Sequence, residues 1–400
     1  MSTQRTGVVG IEAMGLSVPE QYLDMAELAG ARGVAPSKYL EGIGLQQMAV
    51  PGSDEDTVTL AVRAARMALR GTTADQVGLC IVGTETAVDH SKPVTSFVQG
   101  LLGLPTTCRV YETKHACYGG TAGLMTALDW IRSGSNRGKK ALVIAADIAR
   151  YGLRTPGEPT QGAGAVAMLI SDQPKLVELD QAVGTYATDV MDFWRPLYSK
   201  DAVVDGQHSV QCYLDALSGA WRAYLEAAAE AGVPSSGLVR RCYHVPYGKM
   251  ARKAHRQLCA LDGRGEEAGD ASFGVEVASS LRLPSQVGNV YTGSLYLSLA
   301  SLLHAEAADL EGQRIGLFSY GSGCAAEYFA ARVVRGAGAF AASLDLAAPL
   351  AGRRRLSVAE YEAIRAEDHE IDKRPVDEKL KNGGGIAFLG VSGDKRVYAT

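Results

Sequence analysis

Two matching stretches, one in each half of the chain, restrict the possible folds most. Each is a run of small and branched apolar residues, a glycine-rich turn and a second such run. The first is ALVIAAD followed by GAGAVAMLIS, between residues 141 and 171; the second is RIGLFSYGSGCAAEYFAARV, residues 314–333. Apolar runs of this kind bury both faces of a strand, and they are too short to cross a bilayer. Each therefore needs helices above and below it. Their recurrence points to an internal duplication.

The intervening segments supply those helices. In DTVTLAVRAARMALRG, residues Val58, Ala61, Val62, Ala65 and Leu69 form one helical stripe, with Asp56 able to cap the start and Gly71 the end. VGLCIVGTE follows as a buried strand stopping at Gly83-Thr84-Glu85. SFVQGLLGL then reads as a helix, CRVYET as a strand, and GTAGLMTALDWIRSG as a helix with Leu124, Leu128 and Ile131 on one face. The loop GLRTPGEPTQGAG separates the first pair of matching strands. The second half repeats the rhythm: helix YLDALSGAWRAYLEAAAEAG, strand RRCYHVP, helix GKMARKAHRQL and helix GSLYLSLASLLHAEA precede the second pair. RAEDHEIDKRPVDEKLKNGGG reads as a charged surface loop, and GGIAFLGVSGDKRVYAT as a closing hairpin around Ser392-Gly393-Asp394. The pattern is that of a layered α/β protein, with sites at the carboxyl ends of its strands.

A formal net charge of −4 over 400 residues leaves no broad electrostatic footprint for nucleic acid or anionic lipid, so an anionic ligand needs a local patch. The N-terminal MSTQRTGVVGIEAMGL lacks the apolar core of a secretory signal, and a cytoplasmic protein is expected. The seven cysteines, at 80, 108, 117, 212, 242, 259 and 324, contain no CxxC pair, which points to reduced thiols judged one by one.

Cys117, in ETKHACYGGTAG, lies between a strand and a helix start. There the helix dipole would lower a thiol pKa and make a nucleophile, while the plainer alternative is a small buried hydrophobe. Glu85 ends an apolar strand, where a carboxylate is solvated, paired or functional. His244 closes another strand before Pro246, as a proton donor or a satisfied core histidine. Asn289 in VGNVYTGS and Ser322 in SYGSG are also read as turn residues. Cys324, beside that turn, is intermediate between a reactive and a packing thiol, and the other cysteines read as filler. Lys249, Arg252, Lys253 and Arg256 fall at i, i+3, i+4 and i+7, one helical face that is either solvated or placed to meet phosphates.

Taken in order, TET, HACYGG, YGLRTPGEPTQGAGAVAM, DFWRP, YHVPYGKMARKAH, GNVYTGSLYLSLASLL and FSYGSG resemble the 3-hydroxy-3-methylglutaryl-CoA synthase family of the thiolase superfamily across residues 7–335, with a weaker continuation in DKRVYA. The resemblance implies a five-layered αβαβα fold of two duplicated halves, divided here into 1–172 and 173–400. It also implies a homodimer, condensation without metal or redox cofactor, and a place in the mevalonate pathway.

By the same resemblance, Cys117 corresponds to the acetyl-accepting nucleophile, Glu85 to the general acid/base and His244 to the histidine beside the acetoacetyl group. Asn289 corresponds to an acceptor-binding asparagine. Ser322, with the Cys117 N–H, corresponds to the oxyanion donors, while Tyr151 and Lys249 correspond to substrate-pocket and CoA-contacting positions. The implied reaction joins acetyl-CoA to acetoacetyl-CoA, with protonated His244 neutralising the alkoxide. His115 stands where many relatives carry an acidic residue or glutamine. Two other readings compete: a polyketide β-branching relative acting on acyl-carrier-protein-bound acetoacetyl groups, and a silent acyl-binding scaffold. Retention of Cys117, Glu85 and His244 argues against the latter.

Overall fold

The computed structural model describes residues 7–368, 371–383 and 385–399. Nine strands make one large sheet: β1 Gly10–Ser17, β2 Val77–Gly83, β3 Arg109–Thr113, β4 Lys140–Ala149, β5 Gly162–Ser171, β6 Val177–Ala187, β7 Leu238–Tyr243, β8 Arg314–Gly321 and β9 Ala325–Val333. Their order across the sheet is β3-β2-β4-β5-β1-β6-β9-β8-β7. Read outward from the centre, β1-β5-β4-β2 in one half mirrors β6-β9-β8-β7 in the other. The pairing senses match too. β4 with β5 and β8 with β9 are antiparallel, whereas β2 with β4 and β7 with β8 are parallel. This is the expected duplication. The two half-sheets join only where Gly10 and Ile11 pair with Glu178 and Val177.

Alternation along each strand separates the layers. On β2 and β4, Cys80, Val82, Leu142 and Ile144 pack outward with helix α1 (Thr57–Ala68), while Leu79, Ile81, Ala141 and Val143 pack inward. Inward lie α2 (Gly119–Arg132) and α5 (Ser294–Glu306), in one cluster with Ile315, Leu317, Phe329 and Ala331 of the second half. The outer face of that half presents Phe318, Tyr320, Tyr328 and Ala330 to α3 (Gly206–Ala231) and α4 (Gly248–Leu261). The result is five layers, helix, sheet, helix, sheet, helix. The middle helix α5 is buried on every side from Ser294 to Leu303, which explains its lack of a polar stripe.

Three segments differ from the sequence expectation. β6 was not expected, because Glu178, Asp180, Gln181 and Thr185 interrupt its apolar residues and its burial alternates irregularly. A helix at Glu266–Glu276 packs along α4, again unforeseen. The charged stretch beginning at Arg365 is no loose loop. It opens inside the helix Val358–Glu367, and Arg374 then donates to the carbonyls of Ser53 and Phe388. His369, Glu370 and Gly384 of that stretch, and Thr400 of the hairpin, lie outside the described residues, as do residues 1–6.

The closing hairpin forms as expected from Ala387–Ser392 and Lys395–Ala399. Gly393 and Asp394 sit at φ of 53° and 61°, the left-handed pair that a two-residue turn demands. It docks on the start of α1. There Asp56 Oδ1 accepts the Thr59 N–H as helix cap, while Asp56 Oδ2 accepts from Arg396 Nη2 at 2.9 Å and the Tyr398 hydroxyl at 2.8 Å. Arg396 also stacks 4.1 Å over the Phe388 ring. Removing the guanidinium leaves a buried carboxylate without its cation. Arg396→Ala is therefore expected to cost about 3 kcal/mol and lower the melting temperature in thermal unfolding, an effect absent if the hairpin is held by apolar contact alone.

Candidate active site

The end of β2 and the start of α2 touch through glycine. A Cβ at Gly83 would lie 2.4 Å from the Gly120 nitrogen, so only glycine lets the strand end and the helix start approach so closely. Glu85 lies two residues beyond Gly83 and Cys117 two before Gly119, and this contact brings them together. The Cys117 thiol donates to Glu85 Oε1 at 3.3 Å.

A second carboxylate holds the Glu85 turn. Asp147, fully buried at the end of β4, accepts at Oδ1 from Thr84 Oγ1, Glu85 N, Thr86 N and Thr86 Oγ1 at 2.8, 2.9, 3.0 and 2.6 Å. Its Oδ2 accepts from Thr292 N at 3.0 Å and Thr292 Oγ1 at 2.5 Å, which ties this turn to the second half of the chain. Burial raises the Asp147 pKa, and these hydrogen bonds oppose the rise.

Burial and the nearby Asp147 push Glu85 up to about 8, against the lowering effects of Arg195 and the Cys117 thiol. The Cys117 thiol is raised well above its ordinary value by burial first, then by Glu85, Asp147 and Asp192. This reverses the sequence expectation of a lowered thiol, because burial of the sulfur, seconded by acidic groups from distant points in the chain, opposes the thiolate that a helix start would favour. At neutral pH the resting pair is a thiol beside a mostly protonated carboxyl.

The second half supplies the opposite wall. His244 lies one residue past β7, where its backbone N–H donates to the Phe318 carbonyl at 2.7 Å, and its ring lies beside the paired rings of Tyr213 and Tyr320. It is 2% exposed, and burial alone pulls its imidazole down to about 3. Thus burial makes His244 neutral at rest, not protonated as the sequence reading has it, and no carboxylate among the described residues pairs with it. Asn289 Oδ1 accepts from Tyr291 N at 2.9 Å and Ser294 Oγ at 2.8 Å, which turns its amide NH2 toward other partners. Ser322 Oγ donates to Asp192 Oδ2 at 2.8 Å, and Tyr320 OH donates to the same oxygen at 2.6 Å. With its hydroxyl so committed, Ser322 has its backbone N–H left to stabilise an oxyanion. Tyr151 is buried, its hydroxyl raised by burial and by the nearby Cys117 and Glu85. Phe193 bridges the Tyr151 and Tyr291 rings at centroid distances of 6.3 and 5.7 Å.

Asp147, Asp192, Arg195, Tyr291 and Thr292 belong to this site and were not singled out from sequence. The available signal was the one used for Glu85, a carboxylate ending an apolar run, and it applied equally to Asp147 in ALVIAAD.

The basic face of α4 divides. Arg252 Nη1 lies 3.2 Å from Asp270 with its guanidinium over Phe273, and Arg256 Nη2 lies 2.7 Å from Glu266, so both brace the acidic helix Glu266–Glu276. Lys249 is exposed, Lys253 half-buried, and neither has an ion pair among the described residues. Lys249 follows Gly248, which with Gly44, Leu45, Val245, Pro246 and Gly288 lines a small cavity between the neighbours of His244 and Asn289. Cys324, intermediate from sequence, is buried and its thiol pushed up to about 11.

Comparison with known proteins places this geometry. Family models described as hydroxymethylglutaryl-coenzyme A synthase N terminal and C terminal match residues 5–175, and 177–272 with 260–381. The chain is 40% identical to hydroxymethylglutaryl-CoA synthase of Enterococcus faecalis over 390 residues, covering 98% of this chain and 99% of that protein. A solved structure of MvaS in complex with 3-hydroxy-3-methylglutaryl coenzyme A superposes with a TM-score of 0.92 at 48% identity, covering 98% and 99% of the two chains. The HMG synthase of the curacin biosynthetic pathway gives 0.90 at 33%, with the same coverage. An αβαβα chain whose two halves meet at a cysteine, a carboxylate and a buried histidine, and which matches these models over nearly its whole length, belongs to the hydroxymethylglutaryl-CoA synthase family.

Proposed function

We propose that the protein condenses acetyl-CoA with acetoacetyl-CoA and water to give 3-hydroxy-3-methylglutaryl-CoA and free CoA, through an acetyl thioester on Cys117. The Cys117–Glu85 contact carries this reading. Ionised Glu85 takes the thiol proton as sulfur attacks the acetyl carbonyl, then returns it to the departing CoA thiolate. The thioester acidifies the acetyl methyl group, and Glu85 removes one of its protons while the N–H groups of Cys117 and Ser322 hold the enolate oxygen. The enolate carbon attacks the ketone of the acceptor. Neutral His244 donates a hydrogen bond to that ketone oxygen, Asn289 assists through its NH2, and the proton taken up by Glu85 balances the alkoxide. Water then cleaves the thioester, freeing Cys117 and leaving a carboxylate on the product.

The exposed Lys249 at the start of α4, five residues past His244, supports a contact with the phosphates of the CoA substrates. The open outer edge of β3 supports a two-fold homodimer in which that strand meets its copy. A carrier-protein acceptor is the second reading, since a Bacillus subtilis relative, 34% identical over 370 residues, is named as a polyketide biosynthesis 3-hydroxy-3-methylglutaryl-ACP synthase. The higher identity to MvaS supports free CoA esters. Turnover of acetoacetyl-CoA against the acetoacetyl carrier protein separates the two. Among the described residues no helix is long and apolar enough to cross a membrane.

Acetyl-CoA supplied without acceptor is expected to label Cys117 alone, as located by peptide mass spectrometry. Label that survives in Cys117→Ser, or that appears on Cys324, overturns the assignment.

Because the base form of Glu85 is required, acetylation should accelerate as pH rises through about 8. Glu85→Gln should lose this rise and about 10²–10⁴-fold in rate. The same shift links to stability. A folded pKa above the unfolded value of 4.5 gives a contribution fully present below about 4.5 and lost as pH climbs through about 8. Glu85→Gln should therefore melt higher than the parent at pH about 9. Equal melting there would mean that the carboxyl ionises without penalty.

Lys249→Ala is expected to raise KM for CoA substrates more than it lowers kcat. The effect should fade with a short acetoacetyl thioester that lacks the nucleotide phosphates. Equal losses on both substrates would assign Lys249 to folding.

A further inference from the structure

Glu327 is a carboxylate where the fold calls for an apolar residue. On β9, Ala326, Tyr328 and Ala330 face the outer helices, while Phe329 and Ala331 face the middle layer, and Glu327 shares that inner face. It is 7% exposed. Its Oε1 accepts from the Tyr118 hydroxyl at 2.9 Å, and its Oε2 has no hydrogen-bond partner among the described residues. Burial pushes its pKa up to about 7; Asp129 raises it as well, while Tyr118 and Thr185 oppose the rise. No cation among the described residues pairs with it. A carboxylate so costly to bury in a central strand raises the question of what it holds.

What it holds is the residue after the nucleophile. Tyr118 is the N-cap of α2, and Ala116, on the other side of Cys117, has φ of +38°, a conformation that an L-residue keeps only when its surroundings enforce it. The enforcement comes from the second half of the chain. A Cβ at Gly321 would lie 2.5 Å from the Tyr118 nitrogen, so the end of β8 presses directly on this turn. Deeper along α2, Thr121 Oγ1 lies 2.7 Å from both Ser319 Oγ and Tyr296 OH. Cys117 belongs to one half and the acceptor-side residues His244 and Asn289 to the other. The Tyr118–Glu327 bond crosses between the halves one residue from the reacting sulfur.

We propose that Glu327 is a positioning residue for Cys117, acting through the Tyr118 hydroxyl to hold the strained Ala116–Tyr118 turn so that Sγ faces Glu85. The inference rests on the acetyl-Cys117 reading and deepens it. Glu327 touches neither substrate nor sulfur. A displacement of about 1 Å at a reacting atom costs on the order of a hundredfold in rate, which sets the size of the effect sought.

The test is single-turnover acetylation of Cys117 by acetyl-CoA in the full chain, with each variant's fold checked by thermal melting and assayed well below its transition. Glu327→Ala and Tyr118→Phe should each slow acetylation by roughly tenfold to a hundredfold with KM for acetyl-CoA unchanged. The double variant should be no slower than the slower single, because both break one bond. Glu327→Gln, whose amide oxygen still accepts, should stay within about threefold of the parent. Should Glu327→Ala not fold, Tyr118→Phe in the Glu327→Gln background gives the same comparison without a stranded charge. Single variants that fold and acetylate at the parental rate, or losses that add in the double variant, overturn the proposal. So does a Glu327→Gln variant as slow as Glu327→Ala, which would require the charge instead of the bond. A parent that never acetylates at Cys117 would instead refute the proposed function.

Discussion

The site depends on a buried carboxylate that pairs with no cation among the described residues. Asp147 is held by donors from Thr84, Glu85, Thr86 and Thr292, so hydrogen bonds do the work usually left to an arginine or lysine. Three of those donor residues form the turn after β2, and the fourth leads into α5 from the other half of the chain. One side chain therefore fixes where Glu85 stands and where the two halves meet. Its charge also raises the Glu85 pKa, so the same group positions the base and tunes it. Substituting an apolar residue for Asp147 would leave each of these donors buried without that acceptor.

Much of this arrangement was legible because period and punctuation agreed. α1 runs from its Asp56 cap to a C-cap at Leu69, with Gly71 at φ of +79° just beyond. Glu85 and His244 could be picked out because each is polar at the end of an apolar strand. β6 escaped because the alternation in VELDQAVGTYA is broken by residues left half exposed, and the helix at Glu266–Glu276 because its apolar face is narrow. The charge states could not be read at all. A helix start is a local feature, visible in HACYGG, but Glu85, Asp147 and Asp192 come together around Cys117 only through folding. Likewise His244 looks like a cation until its surroundings prove to be Tyr213, Phe318 and Tyr320.

Duplication has divided the labour between the halves. The first half contributes the proposed nucleophile and base, Cys117 and Glu85, at the start of α2 and the end of β2, and the second contributes His244, Asn289 and Ser322 at its own strand and turn ends. Neither set is complete without the contacts across the middle layer. The glycines at 83 and 321 matter for the same reason, since each lets backbone from another element approach the nucleophile turn more closely than any side chain would permit.

The raised thiol pKa of Cys117 bears on survival of the enzyme in an oxidising cell. Peroxides and electrophiles react with thiolates, and a cysteine that stays protonated at rest gives them little to attack. In the proposed acetylation the thiol proton leaves only as sulfur attacks the thioester, so nucleophilicity appears when the acyl donor already fills the pocket. A low-pKa cysteine would react faster with everything; burial, aided by Glu85, Asp147 and Asp192, keeps this one protonated.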